Sequence, residues 1–422
     1  MKTRHLAPIA ALAVGALALT GCSSSGGDDD GTTLELWTAW TEGAATAEAS
    51  EEMIAQFEQE TGYTVNQTNF TYDMLHEKLI ASAAGGNLPD VVWGLPEYVG
   101  ELSSMGILAD LTDAWDSWED KDQVSDAVKS AMSINGQVVG FPYETTVRAY
   151  LVHDDLLAAA GVDVPTTWDE VLEIGSSVQD ATGSSFFGVA GTGVRAPQEL
   201  LVYLAQSGAS IAEEQSDGGF RNTWQEDDDQ LAAATRTFQF YLDLFDSGAV
   251  NANSATYGWE DTDENFATAL TASYVTGNWL AEREETNTEM SDVSVHAIPA
   301  PADGVAATYL ESKPVFVMNT SDDLEAATEL ARTWASHDWQ EAAFADRSAL
   351  ADVSTDSKWS EDFGALTETG VTFPPVTLSS ITQAMIDALA RVLQEGDDPE
   401  ATAIWLSEQV NASLEASGEL AG

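Results

Sequence analysis

One cysteine, Cys22, occurs in 422 residues, and it stands directly after an apolar run near the N-terminus. Such a chain cannot form an internal disulfide, so its fold must be held by packing, hydrogen bonds and charge pairing. Residues 1–21 read as an export signal: Lys2, Arg4 and His5 give a basic start, and Leu6 to Leu19 is almost unbroken apolar sequence. The run is too short to cross a bilayer comfortably and lacks a stop-transfer flank. No later stretch is comparably apolar. About 400 residues follow the signal, enough for two or three domains with buried cores.

The leader ends in Leu19-Thr20-Gly21-Cys22 and not in a small-residue A-x-A site. This tetrapeptide resembles the bacterial lipobox, which implies a diacylglycerol on the Cys22 thiol and Cys22 as the first mature residue. Two acyl chains give stable membrane attachment at about 0.8 kcal/mol per buried CH₂. The alternative is a soluble secreted protein. Residues 22–31 continue with Ser, Gly and Asp and no apolar side chain. They form a tether with a reach of about 15–20 Å, and folded structure is expected from Thr32 onward.

The sequence has 15 Lys+Arg against 71 Asp+Glu. Lys2 and Arg4 lie in the leader, so the remainder carries 13 basic and 71 acidic residues, a formal charge of −58. Nucleic acid and anionic lipid surfaces repel such a body. The acids are spread along the chain and read as a solvated coat. His76, His153, His296 and His337 are scattered, and no second Cys is present, so no metal site is expected. No cofactor motif is found either: Gly191-Thr192-Gly193 before Arg195 lacks the third glycine and the preceding strand of a dinucleotide loop.

Leu34 to Trp37 alternates as a strand. Thr46–Thr61 is expected as a helix stopped by Gly62, Tyr63–Phe70 as a strand, Tyr72–Ala84 as a helix and Pro89–Trp93 as a buried strand. That order is a βαβ unit on a parallel sheet. Val138–Pro142 and Ala149–His153 read as extended, and Asp154–Ala160 as a helix stopped by Gly161. A helix opens at Trp168 with Thr166 or Thr167 as N-cap. Helices are expected at Leu231–Asp246, Leu324–Ser336, Leu378–Gln394 and Pro399–Ala416, with strands at Val293–Ile298 and Lys313–Met318. The fold class is α/β.

Ordered blocks from Thr32 to the C-terminus resemble the extracellular solute-binding lipoproteins of ABC importers, in their carbohydrate-binding branch. They are Leu34-Glu35-Leu36-Trp37-Thr38-Ala39-Trp40, the run Leu79 to Val92 with Gly85-Gly86-Asn87-Leu88-Pro89-Asp90, Gly140-Phe141-Pro142-Tyr143-Glu144, Pro165 to Glu170, Gly277-Asn278-Trp279 and Pro299-Ala300-Pro301. The resemblance implies a two-lobed periplasmic-binding-protein-like fold, a ligand cleft between lobes joined by a multi-strand hinge, and a permease partner. It implies a first lobe from 32–143 and 310–345, and a second from 144–309 and 346–422. The implied protein is a monomer that binds a sugar, by its aromatic content an oligosaccharide, without turning it over. A non-sugar solute and an exported glycoside hydrolase are the alternatives.

Sugars offer flat C–H faces and a hydroxyl rim, so their sites combine aromatic rings with carboxylates, amides or Arg. Thirteen Trp are present. Trp40 and Glu42 follow the first strand, while Trp93, Glu97 and Tyr98 follow the third, at the edge where open α/β sheets bind ligands. Trp93 is a stacking platform or a core cap. Asp90 bonds a hydroxyl or ties its own loop. Tyr143 and Glu144 fall at the first crossing, and Tyr309 and Glu311 at the second. Trp279 stands where the resemblance implies a cleft-facing ring. Trp259 and Arg195 complete the candidates, whereas Trp115, Trp118, Trp334, Trp339 and Trp405 lie at helical spacing and read as packing.

Overall fold

The computed structural model describes residues 32–39, 45–70, 72–353, 355 and 357–422. The leader, Cys22, the tether, Trp40 and Glu42 lie outside the described residues.

Two sheets organise the chain. The first runs, edge to edge, Thr64–Phe70, Thr33–Ala39, Val91–Trp93, Glu311–Val317 and Gly140–Thr146. Its first three strands are parallel, linked through helices Ala45–Thr61 and Tyr72–Gly85 as the βαβ pattern requires. The last two strands join antiparallel, so the sheet is mixed and not parallel throughout. Pro314 cannot donate to the ladder, and the register between Glu311–Val317 and Gly140–Thr146 shifts at Lys313/Pro314.

The second sheet runs Val293–His296, Ala149–His153, Thr271–Thr276 and Ser185–Gly188. Ala149–His153 lies antiparallel to both neighbours. Helix Asp154–Ala160 ends on Gly161 at φ 71°, where a side chain would be strained. Helix Trp168–Thr182 opens with a Thr167/Glu170 capping box.

Each sheet has its own core. Trp93, Trp115, Trp118, Trp334 and Trp339 anchor the first, and Trp168, Tyr203, Phe240, Tyr241 and Leu389 the second. The chain passes between the sheets after Thr146, at Val147–Arg148, and again at Leu310. A third passage follows Leu350, in the first core, and precedes Trp359 and Phe363, which pack with Leu151 and Tyr274 of the second sheet. The lobes also touch through helix Tyr98–Ser104, where Gly100 lies against the Val376–Thr377 backbone; a Cβ there would stand 2.0 Å from the Val376 carbonyl oxygen.

The stretch expected as a helix to Gln394 is α-helical over Ser379–Ala390 and continues as a π turn, Arg391–Glu395. Strands Ser185–Gly188 and Thr271–Thr276 are buried throughout and show no alternation, and helix Arg195–Ser207 is amphipathic but lacks a side-chain N-cap and buries nearly all its residues, so none of the three is identified from sequence. Among the described residues no helix is long and apolar enough to cross a membrane.

Candidate functional site

The two lobes meet over an unusual concentration of buried charge. Pleating puts neighbours on opposite faces of strand Gly140–Thr146, so Tyr143 and Glu144 part company. Tyr143 turns into the first core and stacks on Trp93 at 4.3 Å. Glu144, 4% exposed, accepts from Lys313 Nζ at 3.0 Å and lies 3.7 Å from Arg347 Nε. The next strand presents Glu311 and Lys313 two residues apart on one face.

Arg148, in the first passage, is buried and reaches three ways. One Nη2 donates to Gln198 Oε1 at 3.0 Å and pairs with Glu311 Oε2 at 3.2 Å. Its guanidinium also lies over the rings of Trp279 and Tyr309, 4.8 and 5.4 Å from their centroids. Gln198, from helix Arg195–Ser207, donates to Glu97 Oε1 at 2.9 Å, and Tyr309 OH donates to the same oxygen at 2.7 Å. Glu97 comes from the first lobe, Gln198 from the second and Tyr309 from the second passage, so one carboxylate ties three parts of the chain together.

Trp279 lies flat on Gly277, where any Cβ would fall 1.8 Å from an indole carbon. Its Nε1 donates to Asp263 Oδ2 at 2.9 Å, and Thr276 Oγ1 donates to Oδ1 at 3.3 Å. Arg195 lies over the same ring, 4.9 Å from its centroid. The indole is thus fixed in plane and orientation while remaining only half-buried.

The electrostatics follow from burial. Burial, with the charge of Glu311, pushes the Glu97 carboxyl above its ordinary range. Burial likewise raises Asp263 despite Arg195 and Trp279. It pushes Glu199, one residue beyond Gln198, up to about 8 although Arg195 is near. Glu311 goes the other way: burial opposes its charge, but Arg148, Lys313 and Arg195 together hold it well below the usual carboxylate range.

The structure therefore brings Glu97, Glu144, Arg195, Trp279, Tyr309 and Glu311 to one junction. It does not bring Trp93, Asp90, Tyr143 or Trp259 into that hydrogen-bonded cluster. Trp93 is 1% exposed and packs among core rings, the position of a core cap. Asp90 accepts from Glu35 N at 2.8 Å and from Ser321 Oγ at 2.5 Å, which ties down its own loop. Trp259 is 36% exposed at the start of helix Trp259–Ala267. Sequence reasoning missed Arg148, Gln198, Glu199, Asp263, Lys313 and Arg347. One signal was available: in a chain with 13 basic residues after the leader, each Arg or Lys in an apolar setting marks a place where positive charge is required. A surface groove of about 350 Å³ floored by Trp405 belongs to the C-terminal helices alone and holds none of these residues.

A family model described as bacterial extracellular solute-binding protein matches residues 42–341. The chain belongs to that family. A putative binding protein of Brucella abortus (strain 2308) is 22% identical over 300 residues, covering 70% of this chain and 71% of that one. Among solved structures, the GacH receptor of Streptomyces glaucescens, crystallised unliganded and with acarbose, superposes with a TM-score of 0.78 at 20% identity, covering 91% of this chain and 98% of that one. Maltose-bound MalE3 of T. maritima gives 0.76 at 18% identity, covering 90% and 99%. The family member described here thus has the two-lobed fold, with the charged junction between its lobes, and its family is one of binding proteins.

Proposed function

We propose that this solute-binding protein captures a sugar, by its contact chemistry an oligosaccharide, between its lobes and delivers it to the permease of an ABC importer. The observation that carries this reading is Trp279: a half-buried indole, pinned by Gly277 and Asp263, beside the Glu97, Gln198, Arg148 and Glu311 groups drawn from both lobes. That combination offers a ring to stack on and donors and acceptors for a hydroxyl rim. Trp40 and Glu42 belong to the same proposal by their place after the first strand. The acarbose and maltose complexes of the structural relatives support the sugar class. Closure follows from differential affinity, since a ligand favours the state in which both lobes touch it.

The test is a thermal-shift screen against mono- and oligosaccharides, followed by calorimetry. A ligand at 100 times its Kd adds about 2.7 kcal/mol of stability. Trp279→Ala is expected to weaken binding at least about 30-fold, as loss of a central aromatic anchor does. No stabilising sugar in the screen, or unchanged affinity in the variant, would sink the reading. The site holds the sugar without hydrolysing it, so no reducing ends should appear during incubation.

Attachment to the outer face of the membrane through Cys22 belongs to the same proposal, resting on Leu19-Thr20-Gly21-Cys22. Cys22→Ser is expected to move the protein from the membrane fraction into the medium. A variant that stays with the membrane would point to an uncleaved signal anchor.

A further inference from the structure

Four of the thirteen basic residues beyond the leader stand at the lobe junction: Arg148, Arg195, Lys313 and Arg347. The other three each have a charge partner, although Arg148 also leaves Nε and Nη1 without an acceptor. Arg148 is held by Glu311 and Gln198, Lys313 by Glu144, and Arg347 lies beside Glu144 and Asp346. Arg195 is different. It is 4% exposed, and its guanidinium makes no hydrogen bond or ion pair with any described residue; Nε and Nη1 are both fully buried without an acceptor. Its one close contact of this kind is the face of Trp279. Burial disfavours the charged guanidinium, and nearby Tyr274, Asp263, Glu199 and Glu311 more than offset this, but none of them accepts a hydrogen bond from it, so Nε and Nη1 still lack an acceptor.

A second feature points the same way. Arg195 is the first residue of the 13-residue helix Arg195–Ser207, whose N-cap, Val194, gives no side-chain cap and whose first turn holds no acid. The positive end of that helix dipole is left uncompensated beside the guanidinium.

The acids nearby do not fill the vacancy. Glu311 is engaged by Arg148, and Asp263 by Trp279 and Thr276. Glu199 makes no hydrogen bond to Arg195, and burial pushes its carboxyl up to about 8 although Arg195 is near, which weakens it as a partner for the guanidinium. Glu97 already accepts from Gln198 and Tyr309 through Oε1. A hydroxyl brings its own hydrogen into such a site, whereas a carboxylate only accepts, at two oxygens matched to the guanidinium fork.

We propose that the captured sugar is acidic, a uronate-containing saccharide whose carboxylate is received by Arg195 while its ring lies against Trp279. This rests on the sugar-binding reading above and narrows it. The carboxylate of a uronic acid sits at the rim of the pyranose, in the place of the primary alcohol of a neutral hexose. It therefore comes within reach of the guanidinium that lies 4.9 Å from the centroid of the Trp279 ring.

The test compares pairs that differ only at that group. Galacturonate and glucuronate mono-, di- and trimers are titrated calorimetrically into the mature protein, alongside the same sugars with carboxyl groups reduced to alcohols. The acidic member of a pair is expected to bind about 10- to 100-fold more tightly, and Arg195→Met to abolish that preference. The thermal midpoint of unliganded Arg195→Met is read as well. Arg195→Met removes unmet donors together with a charge that helps hold Glu311 low, so the midpoint is expected to stay close to the parent's, whereas a structural Arg195 would make it fall clearly. Arg195→Lys keeps charge without the fork and is expected to retain part of the preference. Equal or tighter binding of the neutral sugars would overturn the acidic inference and leave the sugar reading standing. Binding of neither class would overturn both. An acidic preference that survives Arg195→Met would overturn the assignment to Arg195.

Discussion

Trp93→Ala is expected to destabilise the first lobe by about 3–5 kcal/mol, the range for deleting a buried Trp. The ring is 1% exposed and stacks on Tyr143 at 4.3 Å. Trp334 and Trp339 meet it nearly edge-on at 5.4 and 5.8 Å, and Phe344 at 6.4 Å. Each such pair contributes about 0.5–1.5 kcal/mol beyond area burial, and the hole left by an indole cannot close when its walls are themselves large rigid rings. Trp334 and Trp339 come from helices Leu324–Ala335 and His337–Phe344. Removing Trp93 therefore loosens the return segment of the chain as well as the sheet. Urea unfolding followed by far-UV circular dichroism checks this, and the transition assigned to the first lobe should move to lower denaturant. An unmoved transition together with lost sugar affinity would put Trp93 back in the cleft.

Trp93 also shows where the sequence is informative and where it stops. The strand ending at Trp93 is readable from Pro89-Asp90-Val91-Val92, and so is its place in the parallel part of the sheet. Which way its last side chain turns is not, because that depends on Trp334 and Trp339 arriving from more than 240 positions away. Trp279 is named from the resemblance, which implies a cleft-facing ring after Gly277-Asn278, and in the structure Gly277, two residues before it, fixes the ring locally. Helices with one apolar face, such as Asp154–Ala160 and Leu324–Ala335, announce themselves by period and cap. Helix Arg195–Ser207 has the period, with Arg195, Gln198 and Glu199 on one face, but no side-chain N-cap, and nearly every residue in it is buried, so nothing in the sequence tells that face from a solvated one. The buried ion network is the least readable part. Arg148, Glu311 and Glu97 come from three segments, and only the fold makes them neighbours.

Arg148→Met is expected to cost about 3–5 kcal/mol at neutral pH, the usual consequence of leaving one member of a buried pair uncompensated. The side chains of Arg148 and Glu311 are 3% and 7% exposed. Without the guanidinium, Glu311 keeps Lys313 at 3.8 Å and a weak bond from Gln198 at 3.3 Å. Methionine preserves much of the stem packing against Trp279 and Tyr309, so the loss reports charge more than volume. The sign of the pH dependence separates the two. In the parent protein the Glu311 carboxyl is held low, chiefly by Arg148 against the opposing effect of burial. A carboxyl so depressed contributes stability above its unfolded value of about 4.5 and loses it as pH falls through the folded value. Removing Arg148 deletes that contribution, so the gap between parent and variant is widest at neutral pH and narrows as pH falls from 4.5 toward 3. Glu311→Gln in the Arg148→Met background removes the stranded charge and is expected to recover part of the loss. Denaturant midpoints of the parent and both variants at pH 7 and pH 3.5 decide the matter. A gap that does not change with pH, with no recovery in the double variant, would mean that Arg148 stabilises the first passage between the lobes by packing alone.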